Sequence, residues 1–205
     1  MVAIIDYDAG NIKSVEKAFS YLGATTVITK DPKEILKADH VVLPGVGAFG
    51  DAMGRINEYD LKTTIDSIVA NETPFLGICL GQQLLFDSSE ESEGVSGLGI
   101  LRGEIVSIPK TDEKGNSYKI PQIGWNRLSF PREGRLYKGI DEGAYVYFVH
   151  SYYLKAADRS IVTATTDYSV TIDASVESGN VFACQFHPEK SADVGMQILR
   201  NFLDV

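Results

Sequence analysis

Short apolar runs alternate with helix-periodic segments through the first half of the chain, and this alternation constrains the fold more than any other feature. Val2 to Tyr7 reads as a buried strand. Ile12, Val15, Phe19 and Leu22 follow at helical spacing, with Gly23 as a stop. Thr25 to Thr29 is a β-branched strand, and Asp31 with Pro32 opens a short helix. His40 to Leu43 is the next strand, helices follow over 48–58 and 61–70, and Phe75 to Ile78 runs straight into Cys79. A β-α-β-α order requires parallel strands, covered by helices on both faces.

The second half has a different rhythm. Residues 100–108, 144–153, 160–165 and 181–186 look extended, and turn signals such as Lys114-Gly115-Asn116 and Ser178-Gly179-Asn180 separate some of them. This predicts an antiparallel extension of the same sheet. Val194, Ile198 and Phe202, with Leu199 off the stripe, predict a closing helix. Ser88 to Gly97 is acidic and rich in Ser and Gly, and is expected to be a mobile loop. No repeat or Pro-rich linker divides residues 1–205, so one α/β domain is expected.

Composition removes several classes of function. Hydrophobic residues make up 44% of the 205 residues, enough for a sizeable core. The net charge of −9 opposes nucleic-acid binding and an acidic membrane surface. Two cysteines, Cys79 and Cys184, do not make a disulfide framework, and no HExxH or CxxC pattern suggests a metal. No leader and no apolar run of about 18 residues is visible, so the cytosol is the expected compartment.

The strongest local signal is Gly77-Ile78-Cys79-Leu80-Gly81, a nucleophile-elbow pattern with cysteine in the serine position. A tight strand-to-helix turn needs small flanking residues, and it sets the sulfur at a helix N-terminus, where a thiolate is favoured. A free cysteine is also commonly a buried small hydrophobe. A thiolate needs a base, and the chain has three histidines. His40 begins an apolar strand and reads as structural. His150 lies in a strand-like run and fits either the site or the sheet. His187, in Gln185-Phe186-His187-Pro188-Glu189-Lys190, follows a strand and has Glu189 two residues on, a spacing that lets a carboxylate orient the imidazole. A surface turn containing both residues by chance is the alternative. The glycine-rich loop Pro44-Gly45-Val46-Gly47 lacks a phosphate-loop pattern. It fits an oxyanion hole better, built from the Leu80 N–H and an N–H from 45–47. A plain tight turn is the alternative there.

Taken in order, the Gly-rich loop, the Cys elbow and His-Pro-Glu resemble the class I, triad-type glutamine amidotransferases over nearly the whole chain. Four segments resemble, more narrowly, the branch that forms the glutaminase subunits of imidazole glycerol phosphate synthases. They are Asp6-Tyr7-x-x-Gly10-Asn11, Pro44 to Phe49, Gly124-Trp125-Asn126 and Tyr147 to Tyr152. Gln82 departs from the family, which often has Met there. The Gly-Val-Gly loop and Gly-Trp-Asn argue against sister synthases, and the complete Cys79, His187 and Glu189 set argues against a subunit without turnover.

The resemblance implies L-glutamine as substrate, Cys79 as nucleophile, His187 as base and acid, and Glu189 as its orienting partner, with no cofactor. It implies substrate contacts from Gln83, Ser151 and Tyr152, and oxyanion or substrate-loop positions at Gly45, Val46, Gly47 and Leu80. It also implies a (βα)₈-barrel cyclase partner that receives ammonia through a tunnel, with Asn11, Ser14, Trp125 and Lys190 at the interface. The loop over 44–50 leads to the further expectation that the isolated chain is a poor glutaminase.

Overall fold

The computed structural model describes residues 1–205. The first half runs β1 (Val2–Ile5), α1 (Ile12–Tyr21), β2 (Thr26–Thr29), α2 (Pro32–Ile35), β3 (His40–Leu43), α3 (Phe49–Glu58), α4 (Leu61–Ala70), β4 (Phe75–Ile78) and α5 (Leu80–Leu84). The second half adds β5 (Ser88–Ser89), β6 (Gly103–Ser107), β7 (Gln122–Arg127), β8 (Tyr145–His150), β9 (Tyr152–Ala156), β10 (Val162–Asp167), β11 (Thr171–Ser178), β12 (Val181–Cys184) and α6 (Ala192–Leu203).

Strands β2, β1, β3, β4 and β12 lie side by side and are all parallel. The sheet continues through β11, β9, β6 and β5, with β10 also on β11, and the β12–β11, β11–β10, β11–β9 and β9–β6 pairs are antiparallel. The period of two divides each central strand between two cores. Ala3, Ile5, Val41 and Leu43 pack with Phe49, Ile56 and Ile65 of α3 and α4 on one face. Val2, Ile4, Val42 and Leu76 pack with Val15, Phe19, Ile198 and Phe202 of α1 and α6 on the other. Helices on both faces are thus the consequence of strands buried on both sides.

Local signals act as expected at several ends. The Asp31 carboxylate accepts the Lys33 N–H to cap α2, and Gly23 takes φ +85 just past α1. Three expectations need correction. The extended run 144–153 is two strands in two sheets: β8 pairs only with β7 in a separate ribbon, while β9 joins the main sheet. Leu199 is fully buried, so the inward stripe of α6 is wider than expected. Ser88–Gly97 is tied down rather than free. Glu91 accepts the Phe49 N–H at 2.8 Å and Ser92 accepts the Gly50 N–H at 3.0 Å, capping α3, whose own N-cap residue, Ala48, has no side-chain acceptor.

Candidate active site

Four loops meet at the carboxyl ends of adjacent parallel strands, where an open α/β sheet places its ligands. Tyr7 to Asn11 follow β1, Pro44 to Gly47 follow β3, Cys79 follows β4, and Gln185 to Glu189 follow β12. Residues separated by more than 170 positions become neighbours because their strands are neighbours.

Cys79 sits at φ 55, ψ −110, a conformation that L-residues rarely adopt. The flanking glycines explain how the turn closes. A Cβ on Gly81 would lie 1.8 Å from the Leu43 carbonyl oxygen, and one on Gly77 would lie 2.8 Å from the Gly81 carbonyl oxygen. The Cys79 N–H donates to the Cys184 carbonyl at 2.8 Å, which ties the elbow to β12.

His187 is 1% exposed and bonds through Nδ1 to Glu189 Oε1 at 2.7 Å. Its backbone N–H donates to the Tyr147 carbonyl at 2.9 Å, and its carbonyl accepts the Ser191 hydroxyl at 2.6 Å. Burial alone would lower the imidazole, but Cys79 and Glu189 outweigh it and hold the ring up to about 9. Nε2 has no hydrogen-bond partner, so Cys79 influences the ring without a formed bond to it. Such contacts often tighten only with substrate bound. His150, also buried, is pushed down to about 4, first by burial and then by the charge of His187. Its nitrogens contact the Tyr152 carbonyl at 2.8 Å and Gln122 Oε1 at 3.0 Å. His40 lies apart, edge-on to Phe202. Burial raises the Cys184 thiol well above its ordinary range.

A cavity of about 250 Å³ opens beside these groups. Cys79 and His187 line it together with the expected substrate positions Gly47, Leu80, Gln83, Ser151 and Tyr152, and with Val46, Val149 and His150. Glu91 also lines it and was missed in the sequence. Its only signal was an acidic residue in a loop read as mobile.

The donors expected at the loop over 45–47 and at Leu80 are partly engaged with each other. The Leu80 N–H donates to the Gly45 carbonyl at 3.3 Å, so one of the two expected donors is occupied. Tyr7 fixes the preceding peptide, since its buried hydroxyl donates to the Pro44 carbonyl at 2.8 Å.

The expected interface residues differ in exposure. Trp125 is 52% exposed on the β7–β8 ribbon beside exposed Ile123 and Tyr145, and Lys190 is exposed. Ser14 is half-buried on α1. Asn11 is half-buried, and its side-chain amide donates to Glu189 Oε1.

A Cys-His-Glu set at a strained elbow, on this sheet, has the chemistry that cysteine-dependent acyl transfer requires. The model of the family described as glutamine amidotransferase class-I matches residues 3–205, and the chain belongs to that family. Within it, the chain is 50% identical over its whole length, and over 97% of the relative, to imidazole glycerol phosphate synthase subunit HisH of Geobacillus kaustophilus (strain HTA426). It is 51% identical to the subunit of the same name from Bacillus cereus (strain G9842), covering all of this chain and 95% of that one. A solved glutamine amidotransferase superposes with a TM-score of 0.76 at 16% identity, over 99% of this chain and 97% of that one, a likeness of fold.

Proposed function

We infer that this chain is the glutaminase subunit of an imidazole glycerol phosphate synthase, hydrolysing L-glutamine and passing ammonia to a cyclase partner in histidine biosynthesis. The observation that carries the reading is the meeting of Cys79, at its strained elbow, with the Glu189-bound His187 around one cavity, in a chain about half identical to such subunits along its full length.

His187 takes the thiol proton through Nε2, and the Cys79 sulfur attacks the side-chain amide carbon of glutamine. The tetrahedral oxyanion collapses, His187 protonates the leaving ammonia, and a γ-glutamyl thioester remains. Water, deprotonated by His187, then releases glutamate and restores the thiol. Glu189 keeps Nδ1 protonated throughout. Gln83, Ser151 and Tyr152 hold the amino-acid end, and Glu91, the one carboxylate lining the cavity, complements its ammonium group.

The occupied Leu80 N–H supports a resting state that the partner relieves by turning the Gly45–Val46 peptide. The partner is a (βα)₈-barrel cyclase that docks on the Trp125 ribbon, with Lys190 pairing an acid. The decisive experiment is ammonia release from glutamine by the native chain and by Cys79→Ala, each with cyclase. The variant is expected to lose glutamine turnover while its complex still uses added ammonium; retained turnover overturns the nucleophile assignment.

A further inference from the structure

The catalytic sulfur needs a hydrogen-bond donor that the elbow does not supply. Of the backbone N–H groups that open α5, Leu80 donates to the Gly45 carbonyl, and Gln82 and Gln83 donate to the Cys79 carbonyl at 3.0 and 3.4 Å; none donates to Cys79 Sγ. The one hydrogen bond that Cys79 Sγ accepts comes from the side-chain Nε2 of Gln185, at 3.7 Å. Gln185 is fully buried, and its backbone N–H is anchored on the Ala174 carbonyl at 2.8 Å.

The polarity of this amide follows from its neighbours. A backbone carbonyl only accepts, so Gln83 must present its NH₂ group to the Tyr152 oxygen, 3.2 Å away. The same NH₂ group lies 2.9 Å from Gln185, which must therefore turn its oxygen toward Gln83. That leaves the Gln185 NH₂ group facing the sulfur. Two amides thus carry the direction of one backbone carbonyl to the thiol. A full-time N–H donor on sulfur favours the thiolate over the thiol and aims its lone pairs.

We propose that Gln185 is a further catalytic residue, donating a side-chain N–H to Cys79 to hold it as the thiolate, with Gln83 fixing the donor's direction. This rests on Cys79 being the nucleophile. The proton released goes to His187. The other titratable groups near the sulfur are Tyr7 beyond β1, Cys184 on β12, Glu189 and His150 around the imidazole, and Glu91 across the cavity. All of them remain in a Gln185 variant, so a comparison with the native chain isolates the amide.

The test is the rate of Cys79 alkylation by neutral iodoacetamide against pH, in the native chain and in Gln185→Leu, with the modified peptide identified by mass spectrometry. The expected result is a neutral-pH rate about five- to tenfold lower in the variant, the loss of one donor on a charged acceptor, with the high-pH plateau retained. Gln83→Met, which leaves the donor but frees its orientation, should fall by about two- to threefold. Gln185→Met keeps the length and removes the donor without adding a charge, and serves if the leucine variant does not fold. In complex with cyclase, Gln185→Leu should lose glutamine turnover in similar proportion and keep its use of ammonium. An unchanged neutral-pH rate overturns the proposal, as does an equal fall at neutral pH and at the plateau, which reports altered access. Either result leaves the Cys79→Ala test of the nucleophile intact.

Discussion

Two buried histidines a short distance apart are held in opposite states by their surroundings. His187, with Glu189 on Nδ1 and Cys79 nearby, is held up to about 9, while burial sends His150 down to about 4. Their effects on stability have opposite signs. The His187 contribution is complete below its unfolded value near 6.5 and is lost as pH rises through about 9. His150 is neutral when folded but charges in the unfolded chain below about 6.5. Its contribution is complete above that pH, falls as pH drops toward 4, and levels off below. The whole His150 effect is on the order of 3 kcal/mol, from about 1.4 kcal/mol per pH unit. Chemical denaturation at pH 7 and pH 4.5 should therefore show native stability falling more steeply than that of His150→Gln, which has no ring to protonate. Parallel losses in the two proteins would show that other groups carry the acid sensitivity.

The elements most legible in the sequence are those whose partners are close in the chain. The run β1 to β4 was readable because each strand is a short apolar block followed by a helix with its own cap or stop, such as Asp31 and Gly23. The elbow was readable for the same local reason: Gly77 and Gly81 mark a turn that no Cβ can enter. The two-sheet division of residues 144–153 was not, because no Gly or Pro marks the break at Ser151. Only the pairing of β8 with distant β7 and of β9 with β6 separates them. The contacts of Glu91 and Asn11 were not legible because each acts across the chain, on Phe49 and on Glu189. The β7–β8 ribbon has a consequence of its own. Ile123, Trp125 and Tyr145 are exposed on a two-stranded element, which is marginal without something to cover it. Trp125 also meets Tyr147 edge-on at 6.0 Å, which preorganises it as an anchor. Trp125→Ala should weaken cyclase affinity about tenfold or more in calorimetric titration, with the stability of the free chain nearly unchanged. An unaltered affinity would move the interface elsewhere.

Across the whole molecule, the ribbon and the triad are joined by few bonds. Tyr147, which carries Trp125 on its ring, accepts the His187 N–H with its carbonyl and donates its own N–H to Ser191, whose hydroxyl holds the His187 carbonyl. Asn11, at the start of α1, bonds directly to Glu189. Both elements are thus hydrogen-bonded to the His187–Glu189 pair directly. The oxyanion loop is also poised. Its Gly45 carbonyl occupies the Leu80 N–H at 3.3 Å, a long bond, while Tyr7 pins only the peptide before it. On the proposed reading, a resting hole of this kind withholds ammonia release when no cyclase is there to use it. If the competent state of the free chain is populated at about 1%, full conversion by the partner gives about a hundredfold gain in kcat, because only the populated fraction turns over. Glutaminase assays with and without cyclase and its nucleotide substrate should show at least that gain, carried by kcat rather than KM, since the cavity that holds the amino-acid end is already formed. Equal rates would mean that the hole opens by itself, and the Gly45–Leu80 contact would then be incidental.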